Sequence, residues 1–97
     1  ADVSDLDAAA ELLRAFAHPL RLGIVLEIRN GERCVHDLVT SLGASQPLVS
    51  QHLKILKNAH VLTGRRRGRE IAYTIADEHI VHIALDAITH ATEGARS

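Results

Sequence analysis

Two pairs of side chains near the end of the chain are of the types that bind transition metals. Asp77 and His79 form the first pair, and His90 and Glu93 form the second, in the segment DEHIVHIALDAITHATEG. Imidazole nitrogens and carboxylate oxygens suit a borderline ion such as zinc. The segment has no internal proline or glycine and is predicted to be one helix. The spacing therefore predicts two half-sites for a metal ion on one helix.

The distance between the pairs means that one helix cannot complete the site. His90 lies eleven positions after His79, so at about 100° per residue the two imidazoles return to within about 20° of the same face. The same step spans about 16 Å of helix axis, whereas metal–ligand bonds are about 2 Å long. Two antiparallel helices would bring Asp77 and His79 of one chain to His90 and Glu93 of the other. This predicts a two-fold homodimer with two equivalent intersubunit sites.

A smaller site on a single helix competes with this interpretation. His82, Asp86 and His90 follow one another at intervals of four and would lie along one face. A stripe of polar side chains is also common on a helix face that only contacts water. Asp77 is predicted to be the N-cap residue, since positions i and i+2 diverge once the backbone is helical.

Composition restricts the class of protein. The 97 residues include one cysteine and two aromatic side chains, Phe16 and Tyr73, so we predict one small domain with an aliphatic core. No apolar run approaches the roughly 20 residues that cross a bilayer. A single cysteine excludes a disulfide framework within the chain and fits a reducing compartment. These features predict a cytoplasmic protein without a membrane partner.

The net charge of −1 conceals an uneven distribution. Residues 45–70 contain six basic side chains and one acidic side chain, which leaves five basic and eleven acidic ones elsewhere. A cationic patch on an otherwise acidic chain predicts a polyanionic partner.

The predicted elements are four helices, a β-hairpin and a final helix. The first helix begins at Ser4 or Asp5, and the next three cover 19–29, 34–42 and, after a cap at Ser45, 46 to about 58. Strands at 61–63 and 70–75 flank an arginine-rich turn at 65–69, and the last helix opens at Asp77. This α-α-α-α-β-β-α order is typical of a winged helix-turn-helix protein, mainly α with a β-hairpin wing. We expect residues 1–97 to form one DNA-binding domain with dimerisation helices at both ends.

The fourth helix and the hairpin carry side chains suited to double-stranded DNA. Val49, Leu53 and Leu56 give the helix an apolar stripe, and its polar side chains lie largely on the other side. Short amide and hydroxyl groups can reach base edges, while lysines and arginines can reach phosphates or a minor groove. The predicted DNA-binding residues are Gln46, Ser50, Gln51, Lys54 and Lys57 of the helix and Arg65, Arg66, Arg67 and Arg69 of the wing.

Four segments together resemble the ArsR/SmtB family of metal-sensing repressors. They are ERCVHDL at 32–38, SQPLVSQHLKIL at 45–56, GREIAYTI at 68–75 and the D-x-H…H-x-x-E pattern of the last helix. The resemblance extends from about Ala8 to Glu93. It implies a homodimer that binds an imperfect operator palindrome when metal-free and is released by metal binding.

The resemblance also implies roles for single residues. Asp77 and His79 match one ligand pair of the family's zinc- or cobalt-type site, and His90 and Glu93 match the pair donated across the dimer. His90 would then donate from its second ring nitrogen to the backbone carbonyl of His60, just after the recognition helix. This bond would act as an allosteric relay between the metal and the DNA-binding surface.

A second ligand position of the family is matched only in part. Cys34 and Asp37 fall at that position and His36 lies between them, but residues 1–7 contain neither a thiol nor an imidazole to complete a site. We therefore interpret Cys34 as a small buried side chain or a remnant of a ligand.

Ligand chemistry favours Zn2+ at the terminal helix, permits Co2+, and leaves Ni2+ open if a further ligand such as His82 is added. Two other functions remain open from the sequence. One is a winged-helix repressor that senses oxidants, persulfides or another metal through Cys34. The other, a hydrolytic metalloenzyme, is disfavoured because four protein ligands leave no position for a substrate water. The chain is therefore predicted not to be an enzyme.

Overall fold

The computed structural model describes residues 1–94 of the chain. Within them, the helices and strands follow the predicted order, with one additional short strand before the third helix. Their bounds are α1 (Val3–Phe16), α2 (Pro19–Ile28), β1 (Arg33–Cys34), α3 (Val35–Leu42), α4 (Gln46–Asn58), β2 (Leu62–Arg67), β3 (Glu70–Ile75) and α5 (Glu78–Gly94).

Local capping sets where the first two helices begin. The predicted start of α1 at Ser4 or Asp5 was wrong, because Asp2 is the N-cap and its carboxylate accepts a hydrogen bond from the Asp5 N–H at 3.0 Å. The Asp5 carboxylate accepts from the Asp2 N–H in return, which completes a capping box. Helix α2 begins at Pro19, as predicted, with His18 as its N-cap.

The segment before α3 differs from the prediction. Cys34 is the N-cap of α3 and not its first residue, and Arg33 and Cys34 pair with β3 as the two-residue strand β1. A strand this short has no alternation that the sequence could reveal. Gly43 ends α3 with φ of 64°, a left-handed conformation that glycine adopts without steric cost, and the chain then turns into α4.

The sheet is antiparallel, with strand order β1-β3-β2. Strand β2 is longer than the predicted 61–63, because Arg65, Arg66 and Arg67 pair with β3 and do not belong to the turn. The turn consists of Gly68 and Arg69 alone, and Gly68 has φ of 64°. Three of the four wing arginines therefore lie on a strand, whose successive side chains point to opposite faces.

The core is mainly aliphatic, as predicted, and also contains the ring of Phe16. It contains side chains from every helix and from β2, so α4, α5 and the hairpin all pack against the same core. Helix α4 contributes its predicted stripe, which is fully buried, and α5 is anchored through Ile80 and Ala84. The core residues contributed by α2, α3 and β2 are Ile24, Val25, Ile28, Leu38 and Leu62.

Candidate metal centre and nucleic-acid interface

Helix α5 presents the four predicted metal ligands to solvent. It is continuous from Glu78 to Gly94, so Asp77 and His79 lie at its start while His90 and Glu93 lie near its end. All four side chains are exposed, and the Asp77 carboxylate accepts a hydrogen bond from the His79 N–H at 2.9 Å. This bond agrees with the predicted capping position of Asp77 and occupies one of its two oxygens.

One chain does not assemble a metal site from these residues. Within residues 1–94, no three His, Cys, Asp or Glu side chains come close enough together to hold a metal ion. His82, Asp86 and His90, the residues of the competing site on one helix, therefore do not form such a group either. A complete set of metal ligands is therefore not present within residues 1–94 of one chain.

The side chains around Cys34 already have other partners. The Asp37 carboxylate accepts from the Cys34 N–H at 2.9 Å, which caps α3, and the His36 imidazole pairs with Glu70 and with Asp37. Burial raises the pKa of the Cys34 thiol, and the negative charges of Glu70 and Asp37 raise it further. Since the thiolate is the form that binds metals and reacts with oxidants, this environment disfavours both roles.

The exposed face of α4 has the composition of a recognition helix. Its five predicted DNA-binding side chains are all exposed, whereas the apolar stripe is buried. Ser45 caps the helix through its hydroxyl and Pro47 lies in its first turn, as predicted. The helix therefore offers amides and a hydroxyl near its N-terminus and lysines further along: Gln46, Ser50, Gln51, Lys54 and Lys57.

The wing arginines are not equivalent. Arg65 and Arg67 lie on the same face of β2, and both bind the Glu32 carboxylate, with N–O distances of 2.8 Å from each. These two contacts lower the pKa of Glu32, with the hydrogen bond from Arg65 as the largest cause. Arg66, on the opposite face, and Arg69, in the turn, have no ion pair among residues 1–94. The sequence prediction missed Glu32, because its partners lie more than 30 positions away.

His60 occupies a distinctive backbone position just after α4. Its φ is 61°, which is uncommon for a residue other than glycine, and its N–H donates to the Lys57 carbonyl at 3.0 Å. Within residues 1–94 of one chain, His60 and His90 share no hydrogen bond. The predicted relay between them would therefore have to form in the metal-bound dimer.

Comparison with known proteins decides the family. Residues 18–63 match the model of the family described as "Bacterial regulatory protein, arsR family". The chain is 62% identical to the HTH-type transcriptional repressor SmtB of Mycobacterium tuberculosis over 90 residues, which cover 93% of this chain and 67% of that protein. The chain belongs to the ArsR/SmtB family of metal-sensing, DNA-binding repressors.

Other ArsR/SmtB proteins agree with this assignment. The HTH-type transcriptional regulator NmtR of Mycobacterium tuberculosis is 39% identical, over 89% of this chain and 74% of its own. A solution structure of a homodimeric winged helix-turn-helix DNA-binding domain from Mycobacterium bovis superposes with a TM-score of 0.82 at 30% identity, over 93% of this chain and 83% of that one. The predicted fold class is thereby confirmed.

Membership in the ArsR/SmtB family settles the function class. The chain is a metal-responsive transcriptional repressor and not an enzyme, so the metalloenzyme alternative is excluded. The redox alternative through Cys34 is not favoured. No helix among residues 1–94 is long and apolar enough to span a membrane.

Proposed function

We propose that this repressor binds operator DNA as a metal-free homodimer and releases it when zinc binds at two equivalent intersubunit sites. Asp77 and His79 of one chain and His90 and Glu93 of the other would form each site. The observation that carries the proposal is the placement of two exposed ligand pairs at opposite ends of one continuous helix. The chain would form one DNA-binding domain with dimerisation helices at both ends, and it would act in the cytoplasm, where its DNA lies.

The donor set fits zinc. Within residues 1–94 the rings of His79 and His90 make no hydrogen bond, so their nitrogens are free to bind a metal. Two imidazoles and two carboxylates match a four-coordinate zinc ion, and cobalt would be accepted by the same set. Nickel prefers more ligands, which His82 on the same helix could supply. When bound, zinc would provide a four-coordinate link between the α5 helices of the two chains.

The dimer would form through α1 and α5. Val3, Leu6 and Leu13 of α1 are 72%, 59% and 56% exposed, and Leu6 and Leu13 lie on one face of the helix because they are seven positions apart. Apolar side chains in such a row are expected to be covered by a partner. A second copy of the chain is the partner that the proposed metal site also requires.

Release would follow from a change in the relation between the two recognition helices. Operator binding needs two α4 helices at a separation that fits successive major grooves. His90, oriented by binding through one ring nitrogen, would donate from the other to the carbonyl of His60 at the end of α4. Because His60 directly follows the recognition helix, this bond would connect α5 to the DNA-reading surface. Coupling of this type is commonly about 1–3 kcal/mol and is reciprocal, so DNA should weaken zinc binding equally.

A titration tests the proposal directly. A duplex that binds the metal-free protein is selected from a random pool and labelled with a fluorophore, and zinc is then added to the complex. We expect release to saturate at two ions per dimer, measured as a fall in fluorescence anisotropy. Zinc binding without release would mean that the ion is structural, and release by another metal alone would change the assigned inducer.

The two kinds of wing arginine predict different salt dependences. Each phosphate contact contributes about 1 to the slope of log K against log salt concentration. We expect Arg66→Ala to weaken operator binding and to reduce that slope by about 1, because Arg66 has no ion pair within residues 1–94 and can reach a phosphate. Arg65→Ala is the matched control and should change the slope much less, since Glu32 already holds Arg65. Equal reductions in both variants would contradict this division.

A further inference from the structure

His52 is a buried polar side chain on the recognition helix. Its relative exposure is 5%, and it directly precedes Leu53 of the apolar stripe of α4. A buried imidazole needs hydrogen-bond partners, because an unsatisfied polar group costs about 1–3 kcal/mol. The function proposed above gives it no role.

Arg21 of α2 is the partner of His52. Its guanidinium donates to His52 Nδ1 at 3.0 Å, to the Ala15 carbonyl at 2.7 Å and to the Arg14 carbonyl at 3.3 Å. The two carbonyls belong to the last turn of α1, where a positive charge also complements the helix dipole. One side chain therefore joins the end of α1 to the buried side of α4.

The hydrogen-bond pattern fixes the protonation state of His52. A guanidinium can only donate, so Nδ1 of His52 must accept and its proton must lie on Nε2. The ring of His18 lies against that of His52, with centroids 4.3 Å apart, and His18 Nδ1 is itself occupied as acceptor for the Leu20 N–H. The contact between Arg21 and His52 thus exists only while His52 is neutral.

We propose that Arg21 and His52 are positioning residues that couple the orientation of α1 to that of the recognition helix. This inference rests on the proposed function, in which α1 contacts the second copy and α4 contacts DNA. It adds a path from the dimer interface to the operator that does not pass through the metal ligands of α5. Loss of the contact is expected to weaken operator binding by the metal-free dimer while zinc affinity is retained.

Protonation of His52 at low pH should break the contact between Arg21 and His52. Burial lowers the pKa of His52, and electrostatic interaction with the neighbouring His18 and Arg21 lowers it further. Beyond Arg21, the charged side chains in the last two turns of α1 are Glu11 and Arg14, which pair with each other at 2.6 Å. Because the pKa of His52 is lower in the folded chain than in the unfolded chain, the contact is fully present above the pKa of the unfolded chain and is lost as pH falls through the folded pKa.

Matched substitutions test the proposal. His52→Asn keeps an acceptor near the position of Nδ1 but cannot gain a proton, whereas His52→Leu fills the space without an acceptor. We expect His52→Leu and Arg21→Met each to weaken metal-free operator binding about 10-fold, the size expected for losing a charge-assisted hydrogen bond. His52→Asn should stay within about threefold of the wild type. The double variant Arg21→Met/His52→Leu should lose little more than either single variant, because the two residues form one contact.

A pH series separates positioning from simple support of the fold. As pH is lowered from 7.5 to the lowest value at which each variant stays folded, operator affinity of the wild type should fall relative to that of His52→Asn. Exposed histidines near the DNA cancel in that ratio because both proteins contain them. Circular dichroism verifies folding of each variant at each pH. Wild-type affinity of folded His52→Leu, additive losses in the double variant, or parallel pH profiles would each overturn the inference. All of these affinities are measured on metal-free protein. A failure of zinc to release DNA would therefore contradict only the proposed function and not the coupling through Arg21 and His52.

Discussion

Replacing His79 and His90 together with alanine is expected to lower zinc affinity at least about 100-fold and to abolish zinc-driven release of DNA. Each proposed site would keep two carboxylates and lose both imidazoles, which is a poor set for zinc. Loss of a group that merely supports a ligand already costs about 10- to 100-fold. For the wild type, zinc should weaken operator binding by about 5- to 150-fold. A chromogenic chelator measures zinc affinity, and anisotropy of a labelled operator measures release.

The matched control removes two other potential metal ligands, a histidine and an aspartate, from the same helix. His82 and Asp86 are exposed on α5, and His82→Ala/Asp86→Ala leaves the four proposed ligands in place. We expect this control to respond to zinc like the wild type. His90 belongs to both candidate sites, so the control decides between them. Loss of the zinc response in His82→Ala/Asp86→Ala would assign the function to the smaller site on one helix.

Placing two carboxylates on the apolar face of α1 should separate the dimer into monomers. Leu6→Glu/Leu13→Glu introduces charges that would have to be buried at the proposed interface, which is strongly unfavourable without partners. Linking two half-site contacts gains about 100- to 10,000-fold in affinity, so we expect operator binding to weaken at least about 100-fold. Zinc affinity should fall in the same variant, because each site would keep only half of its ligands. Sedimentation velocity measures the oligomeric state.

Conservative changes at the same two positions provide the control. Leu6→Met/Leu13→Met keeps the face apolar at nearly the same volume, and we expect a dimer that binds both DNA and zinc. A monomeric Glu variant that retained full zinc affinity would contradict the intersubunit arrangement, whatever happened to its DNA binding.

Features set by neighbouring residues could be predicted from the sequence. The bounds of α4 follow from Ser45 as a cap, Pro47 in the first turn and an apolar stripe of helical spacing, all of which are local. The continuity of α5 follows from the absence of internal proline and glycine. The exposure of the predicted metal ligands and DNA-binding residues follows from the same periodicity.

Features that depend on distant partners could not be predicted in this way. Strand β1 exists because Arg33 and Cys34 meet β3 almost 40 positions later, and two residues carry no pattern of their own. The burial of His52 was not predicted from the sequence, and its partner Arg21 lies 31 positions away, where no local pattern identifies it. The two predicted ligand pairs lie at opposite ends of α5, and no pattern within one sequence can position a second molecule beside them.

Glu32 has a consequence for the thermodynamics of DNA binding. Its side chain is only 20% exposed, and it forms ion pairs with Arg65 and Arg67 of the wing. Beyond the pairing of Cys34 with Ala72 the wing is only two-stranded, and such a hairpin is barely stable alone. We therefore expect the contacts with Glu32 to order the wing during folding, so that the loss of chain entropy does not fall on the binding step. The same carboxylate also reduces the net positive charge that the wing presents to DNA. Salt screens this electrostatic effect, whereas the ordering of the wing persists at high salt. Removing Glu32 should therefore favour binding at low ionic strength and oppose it at high ionic strength, where preorganisation outweighs charge.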